Sequence, residues 1–136
     1  MRRRALANQS SGATRTFVLI EDGKVAAYYA LASGAIAAAG APGHFRRNMP
    51  DPIPIVLLAR LAVARAHQGK GLGRFLLRDA GQRVVQAAQT LGIRGIVVHA
   101  ASQAAKSFYQ AIGFTESLAD SMMLLITLAN IRAALA

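Results

Sequence analysis

The sequence predicts one α/β domain in which helices flank a mixed sheet. Its 136 residues suit a single domain, and 54% of them are apolar, enough for one core. Residues 55–99 show an apolar run, a glycine-rich turn, an amphipathic helix and a second apolar run, the pattern of a βαβ unit with parallel strands. An Asp22-Gly23 pair between two earlier strand-like runs indicates an antiparallel hairpin, so the sheet is expected to be mixed.

The N-terminal part of the chain is expected to contain one helix and two strands. Residues 3–9 look helical, although no N-cap precedes them. Strands are expected at residues 16–21 and 24–36, and Gly34 is expected to mark a bulge or bend in the second of them.

The best-defined helix is predicted at residues 72–91. A proline-rich loop at residues 41–54, with a short helix at residues 44–48, and a strand at residues 54–63 precede it. One face of the long helix carries an apolar stripe, and the opposite face carries arginines and glutamines. The stripe consists of Leu72, Leu76, Ala80, Val84, Ala87, Ala88 and Leu91.

Four further elements are predicted after this helix. A short buried strand covers residues 96–99, and a second helix covers residues 102–112 with Gly113 as its C-cap. A last strand at residues 122–128 and a helical tail at residues 129–136 complete the domain.

Composition excludes several kinds of site. The chain has no cysteine, which excludes disulfides, thiolate metal sites and cysteine nucleophiles. Its histidines, His44, His67 and His99, lack the spacing of metal ligands, so no metal site is expected. No apolar run is long enough to span a bilayer, and no signal-peptide core follows the basic start, so we expect a cytoplasmic protein.

The charge of the chain indicates a polyanionic partner. Thirteen arginines and three lysines oppose six acidic residues, which gives a net charge of +10. A field of this sign attracts the phosphates of nucleic acid, nucleotide or coenzyme. The alternative is a surface that is basic without serving any such partner.

Gln68-Gly69-Lys70-Gly71-Leu72-Gly73 is the most informative stretch of the sequence. It stands between a strand and a helix, where backbone N–H groups converge at the positive end of the helix, so phosphate is the expected ligand. The P-loop pattern is absent because no Ser or Thr follows a Gly-Lys pair, and the dinucleotide fingerprint fails because Arg74 occupies its third glycine position. The alternative is a loop whose glycines only make a tight turn.

Val63-x-x-x-x-Gln68-x-x-Gly71-x-Gly73 resembles the acyl-CoA signature of the GCN5-related N-acetyltransferases, the GNAT family. The resemblance implies the GNAT fold, a central mixed sheet flanked by helices, and acetyl-CoA as the donor. It implies that the backbone N–H groups of residues 68–73 hold the coenzyme A pyrophosphate. Leu61, Ala62 and Val63 would pair with the pantetheine arm like an added strand, and their N–H groups would polarise the thioester carbonyl as an oxyanion hole.

Ser107-Phe108-Tyr109-Gln110-Ala111-Ile112-Gly113-Phe114 resembles a second motif of the family, a helix followed by a turn. The resemblance implies that Tyr109 is the general acid that reprotonates the coenzyme A thiolate, since a thiol of pKa about 8.5 leaves more readily with a proton. In isolation, Tyr109 would be interpreted as a core aromatic residue. Phe108 and Ser102 complete the expected cofactor-binding set, although many members carry Asn where this chain has Ser102.

Several further blocks resemble the acetyltransferase toxins of toxin–antitoxin pairs. They are residues 3–9, 14–18, 28–31, 52–54 and 58–63. This resemblance implies that the amine of an aminoacyl-tRNA attacks the thioester directly, that translation stops, and that a ribbon-helix-helix antitoxin is the partner. Family members usually have another strand and helix first, so the sheet is expected to lack its first strand and part of its first helix, which favours a homodimer.

The residues expected to contact tRNA are arginines, because a basic surface suits an RNA substrate. They are Arg46, Arg47, Arg60, Arg74 and Arg78, with Arg2, Arg3 and Arg4 as a further patch. One of the adjacent residues Tyr28 and Tyr29 is expected to line the acceptor site, and the other to join the core.

Few residues are candidates for a general base. His99 is interpreted as a polar residue at the end of its strand, with a place near the cleft as the alternative. A shortage of bases suits an α-amine, whose pKa of about 7.7–8.0 leaves part of it unprotonated near neutral pH. Two other functions stay open: acetylation of a small-molecule amine or protein N-terminus, and a catalytically weak nucleic-acid-binding or regulatory module of the same fold.

Overall fold

The computed structural model describes residues 4–11 and 14–135, which form a seven-stranded mixed sheet with α-helices on both faces. The strands are β1 (Arg4–Ser11), β2 (Thr14–Glu21), β3 (Lys24–Ile36), β4 (Ile53–Val63), β5 (Gly95–His99), β6 (Thr115–Glu116) and β7 (Met123–Thr127). The α-helices are α1 (Gly43–Arg46), α2 (Leu72–Ala87), α3 (Gln103–Ile112) and α4 (Leu128–Leu135). The strand order is β1-β2-β3-β4-β5-β7-β6, in which β4 and β5 are parallel and the other neighbours antiparallel. The predicted mixed α/β fold is confirmed.

The helix predicted at residues 3–9 is wrong. Arg4–Ser11 is instead the edge strand β1, which pairs along all eight residues with β2. A helix this short and without an N-cap is marginal on its own. The backbone N–H and C=O groups of the segment pair with the free edge of β2 instead. This pairing depends on residues outside the segment, so the segment's own sequence does not predict it.

The predicted hairpin between β2 and β3 is confirmed. Asp22 and Gly23 have φ values of 52° and 79°, so both central residues of the turn are left-handed. This geometry matches the right-handed twist of the flanking strands, and Asp-Gly is a sequence that tolerates it. The turn therefore fixes the register of the hairpin.

The bulge predicted at Gly34 lies elsewhere. Gly34 sits in regular register opposite Ile55, and a Cβ at this position would come within 3.2 Å of the Ile55 side chain, which explains the glycine. The pairing of β3 with β4 shifts where Ala30 lies opposite Arg60 and the next pair skips Ala59. The extra residue is therefore Ala59, on β4.

The two faces of the sheet carry different elements. On the helical face, α2, α3 and α4 pack over one core cluster. On the opposite face, which we call the α1 face, Phe45 of α1 packs with Ile55, Val97 and Leu125. Since strand side chains alternate, each strand residue belongs to one of these faces. Members of the helical-face core are Phe17, Tyr29, Leu58, Leu76, Val98, Tyr109 and Ile131.

The amphipathic pattern predicts the start of α2 correctly. The helix begins at Leu72, and the buried members of its stripe are Leu72, Leu76, Ala80 and Val84. It ends at Ala87, before the predicted end at residue 91, and Leu91 is 60% exposed. The apolar pattern therefore extends beyond the last turn of the helix that packs against the core.

The elements after α2 lie close to their predicted bounds. Ser102 Oγ accepts a backbone N–H at 3.1 Å as the N-cap of α3, and Gly113 ends that helix with a φ of 127°. The two-residue strand β6 was not predicted because so short a segment carries no periodic signal. No helix in the described part of the chain is long and apolar enough to cross a membrane.

A polar cluster around the buried Tyr29 hydroxyl fixes α2 to the β2–β3 hairpin. The fully buried Tyr29 donates its hydroxyl hydrogen bond to Asp79 Oδ2 and accepts one from Arg83 Nε at 3.0 Å. Arg83 also lies 4.1 Å above the centre of the Phe17 ring, which stacks on Tyr29. Burial, followed by the neighbouring Asp79 carboxylate, raises the pKa of Tyr29, so its hydroxyl keeps its proton. The cluster therefore fixes the middle of α2 relative to the sheet.

Candidate active site

A gap opens between β4 and β5 at the carboxyl end of β5. Their parallel pairing ends with Leu58 opposite Val98, but β4 continues to Val63. The bulge residue Ala59 is the first residue beyond the pairing, and bulges increase the local twist of a strand. The far half of β4 therefore presents backbone groups that β5 does not pair.

Two residues of the predicted coenzyme strand direct their N–H groups into this gap. The Ala64 N–H donates to the Ala26 carbonyl of β3 at 2.8 Å, and successive strand N–H groups alternate in direction. The N–H of Ala62 therefore faces β3 as well, whereas those of Leu61 and Val63 face the gap. These two groups are placed to pair with an extended ligand or to polarise a carbonyl.

The glycine-rich loop forms a backbone cradle at the start of α2. Gly69 and Gly71 have φ values of 80° and 76°, a conformation that suits residues without a Cβ. A Cβ at either position would meet nothing within 4 Å, so the space in front of the loop is open. Leu72 and Gly73 occupy the first turn of α2, where N–H groups have no intrahelical acceptor. The cradle presents these groups to open space, which suits a phosphate.

Side-chain contacts anchor the cradle to neighbouring strands. Gln68 Nε2 donates to the Val63 carbonyl at 3.1 Å, and the Gln68 N–H donates to the Arg65 carbonyl at 3.3 Å. One residue earlier, His67 Nδ1 lies 3.1 Å from Oε2 of Glu21, whose side chain is 1% exposed at the end of β2. Gln68 therefore holds the loop against β4, and its own N–H is used within the chain.

Replacing Gln68 with alanine should weaken coenzyme A binding about fivefold, because the loss of one hydrogen bond costs about 1 kcal/mol. The measurement is isothermal titration of coenzyme A, with kcat at saturation expected to stay near the wild-type value. Gln89→Ala, at an exposed glutamine just beyond α2, is the matched control. Unchanged binding by Gln68→Ala would show that the loop keeps its shape without this contact.

Tyr109 lies on the sheet-facing side of α3, with its ring inside the core. It is 5% exposed and makes edge-on ring contacts with Phe108 and Phe114, at centroid distances of 5.2 and 5.3 Å. Among the described residues, its hydroxyl has no hydrogen-bond partner. Burial raises the pKa of Tyr109 to about 12, so the hydroxyl is protonated at neutral pH and can act as a proton donor.

Other residues expected to bind the coenzyme surround the cradle. A Cβ at Gly73 would lie 3.5 Å from Phe108, which places α3 beside the first turn of α2. Lys70 is exposed in the loop, whereas the Leu72 side chain is 4% exposed and leaves only its backbone to the cradle. Ser102 caps α3, so its hydroxyl oxygen already accepts a backbone N–H.

The structure places the adjacent tyrosines on opposite faces of β3. Tyr29 is fully buried in the helical-face core. Tyr28 is half-buried on the α1 face, opposite Ala62 of β4. Of the two, Tyr28 is therefore the residue that can line an acceptor site beside the gap.

The five arginines predicted to contact tRNA fall into two groups on opposite faces. Arg46 and Arg47 are exposed at the end of α1, and Arg60 lies on the α1 face because its partner Ala30 follows Tyr29 on β3. Arg74 and Arg78 belong to α2, on the helical face.

The α2 arginines lie next to α4. Arg74 Nη2 donates to the Ala134 carbonyl at 3.2 Å, and Arg78 lines a groove between α2 and α4 together with Arg132. Arg2, Arg3 and the side chain of Arg4, the further basic patch, lie outside the described part of the structure.

The arrangement fits acetyl-CoA. The open space that a Cβ at Gly69 or Gly71 would enter can take the pyrophosphate, and the gap beside β4 can take the extended arm. When bound, acetyl-CoA supplies an acetyl group activated as a thioester. The Leu61 and Val63 N–H groups face the gap and can stabilise negative charge on a carbonyl oxygen, and Tyr109 has a proton that it can give to a leaving group.

Comparisons with known proteins agree with this geometry. The sequence profile of the acetyltransferase (GNAT) domain matches residues 12–116. The tRNA-acetylating toxin of Mycobacterium tuberculosis (strain ATCC 25618 / H37Rv) is 52% identical over 133 residues, which cover 98% of this chain and 80% of the toxin.

Solved structures give the same result. AtaT complexed with acetyl-methionyl-tRNAfMet matches with a TM-score of 0.83 at 28% identity, covering 91% of this chain and 76% of AtaT. A tyrosine-to-phenylalanine mutant of AtaT, bound to the C-terminus of the antitoxin AtaR and acetyl-CoA, matches with a TM-score of 0.73 at 28% identity, over 88% of this chain and 70% of the mutant. Since the profile spans most of the chain and the identity to a curated relative exceeds half, this chain belongs to the GNAT family and is an N-acetyltransferase that uses acetyl-CoA.

Proposed function

We propose that this chain is a toxin that acetylates the α-amino group of aminoacyl-tRNA in the cytoplasm and thereby blocks translation. One observation carries the proposal: the gap for the acetyl donor lies beside Arg60, on the face of the sheet that also carries Arg46 and Arg47 nearer the opposite end of β5. A large acceptor that lies along this face meets all three positive charges, which suits RNA. The likeness to the tRNA-acetylating toxin and to AtaT supports the same acceptor.

The chemistry of the site supports an amine that is already partly unprotonated. An α-amine has a pKa of about 7.7–8.0, so part of it is unprotonated near neutral pH. A lysine side chain has a pKa of about 10.4 and is almost entirely protonated there. The buried acid Tyr109 serves the leaving group, and the whole chain has only six acidic residues. This balance favours an α-amine over a lysine acceptor.

The proposal is tested by transfer of labelled acetyl from acetyl-CoA to a pool of charged tRNA, with uncharged tRNA as the control. Label on the charged pool alone is the expected result. Label on a free amine or a protein N-terminus, with none on charged tRNA, would overturn the tRNA assignment and leave the acetyltransferase chemistry intact.

We expect the two groups of arginines to differ in their effect on tRNA. Arg60→Ala should raise the KM for charged tRNA, because Arg60 lies on the α1 face beside the gap. The slope of log K for tRNA binding against log salt concentration should become shallower by about one, the contribution of one phosphate contact. The KM for acetyl-CoA should not change. Arg78→Ala, on the helical face, is the matched control. A larger effect from Arg78→Ala would place the RNA across α2 and α4 instead.

We also propose that a ribbon-helix-helix antitoxin binds this chain and that the chain forms a homodimer. The antitoxin-bound AtaT mutant supports a partner of this role. Size-exclusion chromatography with light scattering, run with and without a ribbon-helix-helix protein if one is encoded beside the gene, measures both states. A monomer that does not bind that antitoxin would contradict both parts.

A further inference from the structure

His99 and Asp120 form a side-chain pair at the mouth of the gap. His99 is the last residue of β5, and its Nε2 lies 3.4 Å from Asp120 Oδ2. The side chains are 60% and 41% exposed, so both are accessible to a ligand. The contact is longer than an ideal hydrogen bond, as is common for catalytic groups without substrate.

The pair lies on the α1 face, on the side from which an acceptor would arrive. His99 follows Val97 by two residues and pairs with Met123, and both of these residues contribute to the α1-face core. Pairing of β4 with β5 ends one residue before His99, opposite Leu58. The imidazole therefore stands where the two strands separate, on the opposite face from the buried ring of Tyr109.

Asp120 is held so that it can orient the imidazole. Its Oδ1 accepts the Met122 N–H at 2.9 Å, and the next backbone link, from the Ala100 N–H to the Met122 carbonyl at 2.8 Å, ties this turn to the end of β5. Oδ2 is then directed at His99 Nε2. A carboxylate in this position favours a proton on Nε2 and leaves Nδ1 as the acceptor.

We propose that His99, oriented by Asp120, accepts the proton of the acceptor ammonium on the α1 face. The inference rests on the proposed function for the nature of the acceptor, an α-amine. It favours the place near the cleft that the sequence offered for His99 only as an alternative, and it adds Asp120, which no motif shared with residue 99 indicates.

One N–H bond of the acceptor ammonium breaks, and its proton moves to His99 Nδ1. The freed lone pair on nitrogen forms the C–N bond, the C–S bond breaks with its electron pair left on sulfur, and Tyr109 Oη gives sulfur a proton. A second proton leaves the nitrogen as the amide forms and returns to Tyr109 through solvent, and His99 releases its own proton to solvent.

The test uses transfer to charged tRNA by His99→Ala, with and without added imidazole. We expect kcat to fall about 100-fold and to recover about tenfold on addition of imidazole, because a free base can enter the exposed space left by the side chain. His44→Ala is the matched control, since His44 is exposed near the opposite end of β5, where its carbonyl accepts from Arg94. It should keep wild-type kcat and show no response to imidazole.

A second measurement reports on Asp120 without turnover. Nitrogen-15 NMR of the His99 imidazole should show a proton on Nε2 in the wild type and a mixture of tautomers in Asp120→Asn. An unchanged tautomer, or a His99→Ala variant with wild-type kcat, would overturn the inference.

Failure of the proposed function is distinguishable from failure of the inference. If the wild type leaves charged tRNA unlabelled, the tRNA assignment fails, and the variants are compared on an amino acid methyl ester, which offers the same α-amine. If the wild type labels tRNA and His99→Ala does so equally well, only the role of His99 is lost.

Discussion

Tyr109→Phe should lower kcat by about 100-fold to 10,000-fold while leaving the Kd for coenzyme A unchanged. The phenylalanine keeps the ring that packs against Phe108 and Phe114, so the core is preserved. Because the hydroxyl has no partner among the described residues, its removal leaves no buried group unpaired. The lost interaction is therefore the proton given to the leaving sulfur.

The pH dependence of proton donation to sulfur follows from the protonation state of Tyr109. An acid has to be protonated to act, and burial raises the pKa of Tyr109 to about 12. The wild-type kcat should therefore show no loss from this group between about pH 7 and pH 10, the range in which an ordinary phenol would begin to ionise. A decline centred near pH 10 would mean that Tyr109 is less shielded from water than its burial indicates.

Phe114→Leu controls for packing around Tyr109. It removes the second edge-on ring contact but keeps the hydroxyl, and a large-to-small change of this kind in a core costs about 0.5–3 kcal/mol. We expect a lower Tm and a kcat near that of the wild type. If Phe114→Leu lost turnover as completely as Tyr109→Phe, the ring's position and not its proton would be the cause. If Tyr109→Phe kept wild-type kcat, Tyr109 would have no part in the chemistry.

The elements that depend on interactions between neighbouring residues could be predicted from local sequence patterns. The Asp22-Gly23 turn, the start of α2 and the capped helix α3 follow from the conformational preferences and periodicity of a few consecutive residues. The cradle belongs to the same class, because two left-handed glycines and a helix start are all encoded within six positions. The shape of the cradle could therefore be predicted from the sequence.

Features decided by pairing across the chain could not be predicted. The strand Arg4–Ser11 exists because β2 offers it an edge, and the bulge at Ala59 is set by the register between β3 and β4. The separation of Arg60 from Arg78 likewise depends on which face each element covers. No periodicity within one segment carries this information.

Polar contacts between residues far apart in the sequence could not be predicted either. Tyr29 and Asp79 are 50 positions apart, and neither is part of a motif that names the other. Asp120 reaches His99 only because β7 returns beside β5 and carries the preceding turn with it. The two sides of the candidate site therefore differ in origin. The proposed donor side consists of consecutive residues, whereas the proposed acceptor side depends on the pairing of strands that are distant in the sequence.

Gly71→Glu should weaken coenzyme A binding by about 100-fold or more, a loss of about 2.8 kcal/mol. Gly71 has a φ of 76°, and a Cβ there would enter the open space in front of the cradle. A glutamate adds a negative charge and a long side chain to the space where the pyrophosphate is expected, so both repulsion and occupancy oppose binding. Equilibrium titration of coenzyme A measures the effect directly.

Gly23→Glu separates these causes from backbone strain. Gly23 has a φ of 79° and also has nothing within 4 Å of a Cβ, but it lies in the hairpin turn and is not part of the cradle. The two variants thus introduce the same strain and the same charge, and only the position differs. We expect Gly23→Glu to lose stability and to bind coenzyme A as the wild type does. Equal loss of binding in both variants would assign the effect to the fold, and retained binding by Gly71→Glu would place the phosphates away from this loop.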